Sequence, residues 1–303
     1  MRSLDSVPTP VSTRPAPLVS VVTPVRNGER FIEQTIESVL SQDYPHLEYL
    51  VVDGGSTDRT PEILARFQDR ITIVRGPDAG QADALNRGFA LAHGEILGWL
   101  NADDLYAPGA VATAVQAFAD HPAADVVYGA ADHIDDEGRA IDAYPVEAYD
   151  AATLGRRCII CQPAAFVRRL AMAAAGGLDP RLHYALDYDL WMRLSRTTQF
   201  VKIDQLLAHS RMHASNKTLA FRREAYEETM QVLRRNYGYV PYEWVYAYTS
   251  FLIDRKDQYF ETSARTPLKV LLSLLFGIFR NPLRPLRFVK DWISHRGFAV
   301  SRG

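Results

Sequence analysis

Short apolar runs alternate with amphipathic segments through the first 128 residues, and this alternation limits the possible folds more than any other feature. Apolar, β-branched runs predict strands at 18–24, 47–52, 71–74, 95–100 and 125–128. Helical spacing of apolar residues predicts helices at 30–41, 60–67, 81–92 and 109–119, and later at 185–196. Because strands and helices alternate over short connections, we expect an α/β fold with a mostly parallel sheet covered on both faces.

Polar residues follow three of these predicted strands at the point where each strand ends. Thr23 and Pro24 end the first, Asp53 follows the second, and Asp103 and Asp104 follow the fourth. A single Asp in such a place is most often a turn former or a helix cap. The carboxyl ends of parallel strands share one sheet edge, where open α/β folds bind ligands. Three polar ends at one edge therefore predict a ligand site, and carboxylates suit Mg²⁺ or Mn²⁺.

Four segments resemble the signature motifs of family 2 glycosyltransferases with the Rossmann-like GT-A fold. They are Val21-Val22-Thr23-Pro24-Val25-Arg26-Asn27, Val52-Asp53-Gly54-Gly55-Ser56-Thr57-Asp58, Asn101-Ala102-Asp103-Asp104, and the acceptor-side pair Gly177-Leu178-Asp179 and Leu186-Asp187-Tyr188-Asp189-Leu190-Trp191. Order and spacing match over about residues 18–215. The resemblance implies an inverting transfer of a sugar from a nucleoside diphosphate, usually UDP, to an acceptor hydroxyl.

The resemblance also implies which residues bind the donor. The expected nucleotide-sugar residues are Thr23, Pro24, Arg26, Asn27, Asp53, Gln81, Asp83 and Asp103. An ionised carboxylate only accepts hydrogen bonds, so Asp53 suits the N3–H of uracil. Asp104 takes the last position of the Asp-x-Asp motif and is the expected direct ligand of Mn²⁺ or Mg²⁺, with Asp103 at the ribose or the metal's waters. Asn101 stands where many relatives carry Asp. For Asp83, helix packing is an alternative role.

Inversion requires a general base that removes the proton of the acceptor hydroxyl. Asp187 aligns with the second acid of the family's Glu-Asp pair, although Leu186 precedes it here, and Asp189 is the alternative base. Asp187 could also cap the helix that follows it. The segment with Arg211, His213 and Lys217 resembles one that closes over the diphosphate, so these three are predicted phosphate contacts. A structural role is the alternative for His213.

Two other functions compete with sugar transfer. A nucleotidyltransferase would normally carry a Gly-rich, basic loop after the first strand, where this chain reads Pro24-Val25-Arg26-Asn27-Gly28-Glu29. A non-catalytic sugar- or nucleotide-binding module would be expected to lose its carboxylates, yet Asp104 and Asp187 are present. Cys158 and Cys161 form a lone Cys-x-x-Cys, which favours reduced thiols over a zinc site that needs about four ligands.

Charge is distributed unevenly along the chain. The net charge of −2 does not indicate a nucleic-acid partner, but residues 264–303 contain eight Lys/Arg and one acid, Asp291. The apolar run 267–279 is too short to span a bilayer and is followed by basic residues that include Arg296. This pattern predicts a helix lying on an anionic membrane, with packing on the enzyme or a dimer partner as the alternative. We therefore expect a cytoplasmic enzyme, peripheral on the inner membrane face, that glycosylates a lipid-linked saccharide in polysaccharide assembly.

The chain is expected to have three parts. Residues 1–17 contain four prolines and predict a disordered leader. Residues 18–215 form the catalytic domain, with a nucleotide-sugar half at 18–135 and an acceptor half at 136–215. Residues 216–303 form a helical extension that ends in the basic amphipathic tail. The aromatic residues between 237 and 251 are expected to pack into the core rather than to form a carbohydrate-binding surface.

Overall fold

The computed structural model describes residues 16–256 and 263–295, so most of the predicted leader and the last residues of the tail lie outside it. Within these residues nine strands form one sheet in the order β3-β2-β1-β4-β8-β6-β9-β5, with β7 paired to β6. The strands are β1 Val19–Val25, β2 Leu47–Asp53, β3 Thr72–Arg75, β4 Ile96–Trp99, β5 Leu105–Tyr106, β6 Val126–Ile134, β7 Ala140–Ala143, β8 Ala165–Arg168 and β9 Phe200–Arg211.

Helices cover the sheet and continue beyond it. They are α1 Ile32–Leu40, α2 Thr60–Ala65, α3 Gln81–Leu91, α4 Ala110–Asp120, α5 Ala151–Leu154, α6 Arg169–Ala174, α7 Leu186–Leu194, α8 Lys217–Ala220, α9 Arg222–Tyr237, α10 Tyr242–Asp254, α11 Pro267–Arg280 and α12 Pro285–His295. A short 3₁₀ turn spans Gln162–Ala164. All five predicted strands and all five predicted helices are present, and the α/β class is confirmed.

The first four strands run parallel because a helix after each of β1, β2 and β3 returns the chain to the starting edge. β1 is buried along its whole length between β2 and β4. Its register pairs Val25 with Asp53 and Val22 with Trp99. The ends of β1, β2 and β4 therefore lie at one edge, as the sequence predicts.

The rest of the sheet is mixed, which corrects the expectation of a mostly parallel sheet. β8 pairs antiparallel with both β4 and β6, and β7 pairs antiparallel with β6. β9 runs parallel to β6 but antiparallel to the two-residue β5. The pairing of Leu105 with His209 brings the end of β9 beside the turn that follows β4. The sequence pattern predicts β1 to β4 and β6 but not β5, β7, β8 or β9, and β5 has only two residues.

The C-terminal helices pack on the rest of the protein through a partly buried polar cluster. Arg156 lies 2.9 Å from Glu243 in α10 and 2.7 Å from Asp291 in α12. Asp291 also accepts a hydrogen bond from the Tyr239 hydroxyl at 2.7 Å. Phe288 is fully buried against α11, where an added Cβ at Gly277 would lie 1.8 Å from its ring. The tail is thus attached to the enzyme along one face.

Most of the aromatic residues between 237 and 251 are buried, as expected for core positions. Five tyrosines of α9, α10 and the segment between them are at most 4% exposed, namely Tyr226, Tyr239, Tyr242, Tyr246 and Tyr248. Tyr242 and Tyr246 contact each other with ring centres 5.6 Å apart. Among the described residues, no helix combines the length and the apolar character needed to span a bilayer.

Candidate functional site

One large cavity, about 940 Å³, opens at the sheet edge where β1 and β4 end. Its wall contains residues 24–28 at the end of β1, 99 and 101–104 at the end of β4, 184–188 at the start of α7, and 212, 213 and 215–219 after β9. Neither the motif after β2 nor residues 177–179 belong to the wall. Side chains of α9 and α10 complete the wall. The cavity therefore joins the predicted donor and acceptor sides in a single space.

The loops after β1 and β2 are connected through Asn27. This residue has a φ of +56°, in the left-handed region that Asn tolerates better than most residues. Its backbone N–H donates to the Ser56 hydroxyl at 2.8 Å, and its Oδ1 accepts from the Thr57 N–H at 2.8 Å. Asn27 lines the cavity, as do Pro24 and the exposed Arg26. Asn27 thus shapes the loop that the sequence assigns to the nucleotide.

Thr23 and Asp53 lie at the predicted edge but not in the cavity wall. Thr23 is fully buried, and its hydroxyl is 3.0 Å from that of Tyr49. Asp53 is 3% exposed and accepts a hydrogen bond from the Ser56 N–H at 2.8 Å. It stands directly beside the cavity because it pairs with Val25. A nucleotide contact by these two residues remains a prediction.

An amide network organises the turn after β4. The Oδ1 of Asn101 accepts hydrogen bonds from Trp99 Nε1 and Gln81 Nε2, both at 2.8 Å. Its Nδ2 donates to Asp104 Oδ2 and to Gln162 Oε1, both at 3.0 Å. An aspartate at this position could accept but not donate, so the amide is required for the bond to Asp104. Asn101 thereby orients one of the two carboxylates of the motif.

Asp103 and Asp104 differ in burial although they are adjacent. Asp104 is 3% exposed, and its Oδ1 accepts from the Arg211 backbone N–H at 2.9 Å. Burial, followed by the charge of Asp103, raises the pKa of Asp104 to about 8. The Asp103 side chain is 29% exposed and lies 3.1 Å from His213 Nε2. Asp103 is therefore the more accessible carboxylate, and His213 stands next to it.

His213 and Lys217 belong to the cavity wall, but Arg211 does not. The guanidinium of Arg211 is fully buried and donates to the backbone oxygens of Asp103, Asp135 and Asp136. Its role is to hold the turn after β4 against β9, so the predicted phosphate contact does not fit the structure. The Lys217 ammonium lies 5.4 Å from the Tyr184 ring centre, and desolvation lowers its pKa.

Asp187 lies in the cavity wall at the start of α7. It is half-buried, and its Oδ1 accepts a hydrogen bond from the Tyr188 N–H at 2.8 Å. Burial raises the pKa of Asp187 to about 6, because the charged form loses hydration. A carboxylate with a pKa near neutrality is matched to proton abstraction.

Asp189, the alternative base, is directed away from the cavity. It is fully buried and forms ion pairs of 2.7 Å with Arg193 and 2.6 Å with Arg235. Asn236 adds a hydrogen bond of 2.9 Å. These contacts fix α7 to α9, so the structure assigns Asp189 a structural role.

Asp83 is likewise separate from the cavity. Its Oδ2 accepts a hydrogen bond from the Ala79 N–H at 3.2 Å, which closes the turn before α3. The neighbouring Asn86 bonds both the N–H and the carbonyl of Leu178, at 2.9 and 2.8 Å. Asp83 thus closes a local turn and Asn86 connects α3 to Leu178, whereas Gln81 lines the cavity. A nucleotide contact by Asp83 stays a prediction.

The carboxylates fit a divalent metal only in a mode that shares the ion with substrate. Among the described residues there is no group of three or more potential metal-ligating side chains. Mg²⁺ is commonly bound by one or two carboxylates together with substrate phosphates. Asp103 and Asp104, with His213 beside them, match that mode.

A family model described as glycosyl transferase family 2 matches residues 20–230. The chain belongs to this family. The match includes every motif on which the resemblance was based and extends into α9. It decides against the nucleotidyltransferase alternative.

Several relatives in this family are similar over about two thirds of this chain. An uncharacterized glycosyltransferase of Rickettsia typhi is 29% identical over 216 residues, which cover 67% of this chain and 66% of that protein. The chondroitin synthase of Escherichia coli is 28% identical over 209 residues, covering 67% of this chain and 30% of the synthase. The chain thus matches less than two thirds of the length of these relatives.

Solved structures confirm the GT-A fold. S. aureus TarS 1-349 in complex with UDP-GlcNAc has a TM-score of 0.62 at 16% identity and covers 92% of this chain and 89% of that one. The mannosyltransferase PcManGT from Pyrobaculum calidifontis, in complex with GDP-Man and Mn²⁺, has a TM-score of 0.55 at 20% identity. It covers 98% of this chain and 79% of its own.

Sequence reasoning missed several residues of the wall. Asp78 lies against Gly54, where an added Cβ would be 2.0 Å from its Oδ2, and it lines the cavity. The sequence predicts Trp99 only as part of a strand and Trp244 only as part of the core, yet both line the cavity. Asp78 lies three residues beyond the end of β3, so the strand-end rule that selected Asp53 could have selected it. The position of α10 at the cavity wall could not have been predicted by this rule, because no strand end marks it in the sequence.

Proposed function

We propose that this chain is an inverting, metal-dependent glycosyltransferase that moves a sugar from a UDP-sugar to an acceptor hydroxyl. The observation that carries the proposal is the placement of Asp187 in the same cavity as Asp103 and Asp104. A base and a leaving-group site are the two elements that a single displacement requires. A raised pKa at Asp187 supports its role as the base.

The residues act on different ends of the reaction. Asp187 takes the proton of the acceptor hydroxyl while that oxygen forms its bond to the anomeric carbon. The bond from this carbon to the diphosphate oxygen breaks, and its electron pair leaves with the nucleoside diphosphate. Asp103 and Asp104 would hold a divalent cation that, when bound, supplies Lewis-acid stabilisation to the diphosphate. Lys217 and His213 line the same cavity and would contact the phosphates.

UDP is proposed as the nucleotide, with the hexose left open. The TarS complex contains UDP-GlcNAc, which supports a UDP-sugar, and relatives include a chondroitin synthase, which supports a role in polysaccharide assembly. The PcManGT complex contains GDP-Man, so the fold also accommodates another nucleotide. Asp53 would select UDP by accepting from uracil N3–H.

The function is tested by UDP or GDP release from a panel of nucleotide sugars with Mn²⁺ or Mg²⁺. We expect release from a UDP-sugar that requires the cation and that rises with a saccharide acceptor. No release from any sugar nucleotide, or release unaffected by Asp187→Asn, would contradict the proposal.

We further propose that the enzyme works at an anionic membrane, on the cytoplasmic face, and that its acceptor is a lipid-linked saccharide. The support is the unusual orientation of α11. A helix on a globular protein normally turns its apolar side to the core. In α11 the buried positions are Lys269, Ser273 and Gly277. The outward positions carry large apolar side chains that are 56–79% exposed: Leu268, Leu271, Leu275 and Phe279.

The apolar surface continues into α12 and is bordered by basic residues. Leu283, Leu286 and Ile293 are 91%, 78% and 54% exposed. Arg284, Arg287 and Lys290 are exposed among them. Contiguous exposed apolar surface marks an interaction site, and each Lys/Arg near an anionic bilayer contributes about 1 kcal/mol. Charge complementarity therefore favours an anionic bilayer over a second copy of this basic surface.

Liposome flotation tests the membrane. Vesicles of phosphatidylcholine with and without phosphatidylglycerol are compared for the full chain and for Leu271→Glu with Leu275→Glu. We expect flotation with the anionic vesicles, lost in the double variant and kept in Leu170→Glu, a control at a 77% exposed leucine of α6. Protein that never floats would contradict the membrane proposal. A dimer in solution that the double variant dissociates would identify a protein interface instead.

A further inference from the structure

The helix that carries Asp187 begins without a capping side chain of its own. Its N-cap residue is Ala185, which has no oxygen to accept a hydrogen bond from the first turn. Glu228, in α9, supplies the missing acceptor. Its Oε2 accepts from the His183 N–H at 2.8 Å, and its Oε1 accepts from the N–H groups of Tyr184 and Ala185 at 2.6 and 2.7 Å.

Three consecutive backbone N–H groups thus point at one carboxylate, two to four residues before Asp187. Hydrogen bonds to an ionised acceptor are roughly twice as strong as those between neutral groups. A negative charge near the N-terminus of a helix is also stabilised by the helix dipole. Because α9 packs along α7, where Arg235 pairs with Asp189, the segment 183–185 is fixed to a rigid element.

Leu186 stands before Asp187, where the family motif has Glu, so no acidic side chain immediately precedes the candidate base. We propose that Glu228 is the positioning residue for Asp187: it holds the backbone of 183–185 and thereby directs the base into the cavity. This inference rests on the proposed function, since it takes Asp187 as the base.

Glu228 also affects the pKa of Asp187 through its charge, because the other titratable groups that face Asp187 are neutral. Tyr144, Cys158 and Cys161 interact with Asp187. Burial raises the pKa of all three, to about 12 for Cys158, so they are neutral at pH 7. Glu228 is therefore the ionised group whose charge adds to burial in raising the pKa of Asp187. Removing this charge should make Asp187 more acidic.

Three variants in α9 test the proposal, with the nucleotide sugar selected by the release panel as donor and Mn²⁺ present. Glu228→Ala removes the acceptor and the charge, and Glu228→Gln removes the charge but keeps an oxygen. Glu224→Gln removes a charge from an exposed position of the same helix as the control. We expect Glu228→Ala to lower kcat about 10–100-fold with little change in the donor KM, because misplacement by about 1 Å is costly.

The pH profile separates positioning from a merely structural role. In Glu228→Gln the acidic limb of kcat/KM should move to lower pH, while Glu224→Gln should match the wild type. A limb that does not move, or a kcat loss in Glu228→Ala that disappears once the folded fraction is corrected for, would overturn the proposal.

Amide hydrogen exchange provides a readout that needs no donor. In Glu228→Ala the amides of 183–185 should exchange faster than in the wild type, and in Glu224→Gln they should not. Unchanged protection would overturn the inference even where sugar transfer is established. Faster exchange in a protein that transfers no sugar would instead place the failure in the proposed function.

Discussion

Two acidic pairs stand near the cavity, Asp103 with Asp104 and Asp187 with Asp189, and they are used differently. Both members of the first pair line the cavity, because they lie in the turn after β4. The second pair lies on α7, where the side chains of residues i and i+2 are rotated by about 200° around the helix axis and so point to opposite sides. Asp187 therefore faces the cavity, whereas Asp189 is buried in ion pairs with Arg193 and Arg235. Two adjacent carboxylates in a turn can thus face one cavity, whereas two carboxylates at positions i and i+2 of a helix face different surroundings.

The first pair should give the largest effects on catalysis. We expect Asp103→Ala and Asp104→Ala each to reduce turnover about 10³-fold or more, because each removes several kcal/mol of charge stabilisation. Only Asp104→Ala should also lower the melting temperature, since it leaves the N–H of Arg211 and the Nδ2 of Asn101 without their acceptor. Steady-state kinetics with saturating Mn²⁺ and thermal unfolding measure both. Wild-type turnover in either variant would remove that residue from the metal site.

The second pair should separate catalysis from stability. Asp189→Asn should lower the free energy of unfolding by about 3 kcal/mol, because breaking a buried ion pair leaves its partners uncompensated. Its folded fraction should keep near wild-type turnover. Urea unfolding, with turnover corrected for the folded fraction, is the measurement. An inactive but fully stable Asp189→Asn would show that Asp189 acts in catalysis together with Asp187 and would contradict its structural role.

The donor edge could be predicted from sequence to a greater extent than the acceptor side. Apolar runs mark the parallel strands, and their shared edge brings Pro24, Asn27 and Asp104 together. Contacts from distant segments carry no local signal. Arg211 reaches Asp104 across 107 residues of chain, and Glu228 reaches Ala185 across 43. A basic residue beside a family motif therefore suggested a phosphate contact, although the antiparallel pairing of β5 and β9 buries it.

A substitution at Asn101 tests the surroundings of Asp104 and should have a smaller effect than substitutions in the first pair. Asn101→Asp would place an acceptor against Asp104 Oδ2 and Gln162 Oε1, so we expect a loss of about 1–3 kcal/mol in stability without metal. Mn²⁺ should restore part of this loss, since the variant adds a third carboxylate beside the ion. Thermal unfolding with and without MnCl₂ measures the difference. A variant as stable as the wild type in the absence of metal would contradict the orienting role of the amide.

Asp53 should show the smallest effect. If it accepts from uracil N3–H, UDP should bind more tightly than CDP by about 1–3 kcal/mol, because cytosine presents an acceptor at N3. Asp53→Ala should reduce that difference in calorimetric titrations. Equal affinities for UDP and CDP in the wild type would exclude Asp53 from base recognition and leave it as the cap of the turn at Ser56.

The central claim is that Asp187 is the general base, and the pH dependence of kcat/KM for UDP release tests it most directly. A base must be ionised to act, and the pKa of Asp187 is raised to about 6, so activity should rise with pH through an acidic limb near 6. Asp187→Asn should lose this limb and about 10²–10⁴-fold in rate, with donor binding nearly unchanged. An Asp187→Asn variant that keeps the wild-type rate and limb would contradict the account.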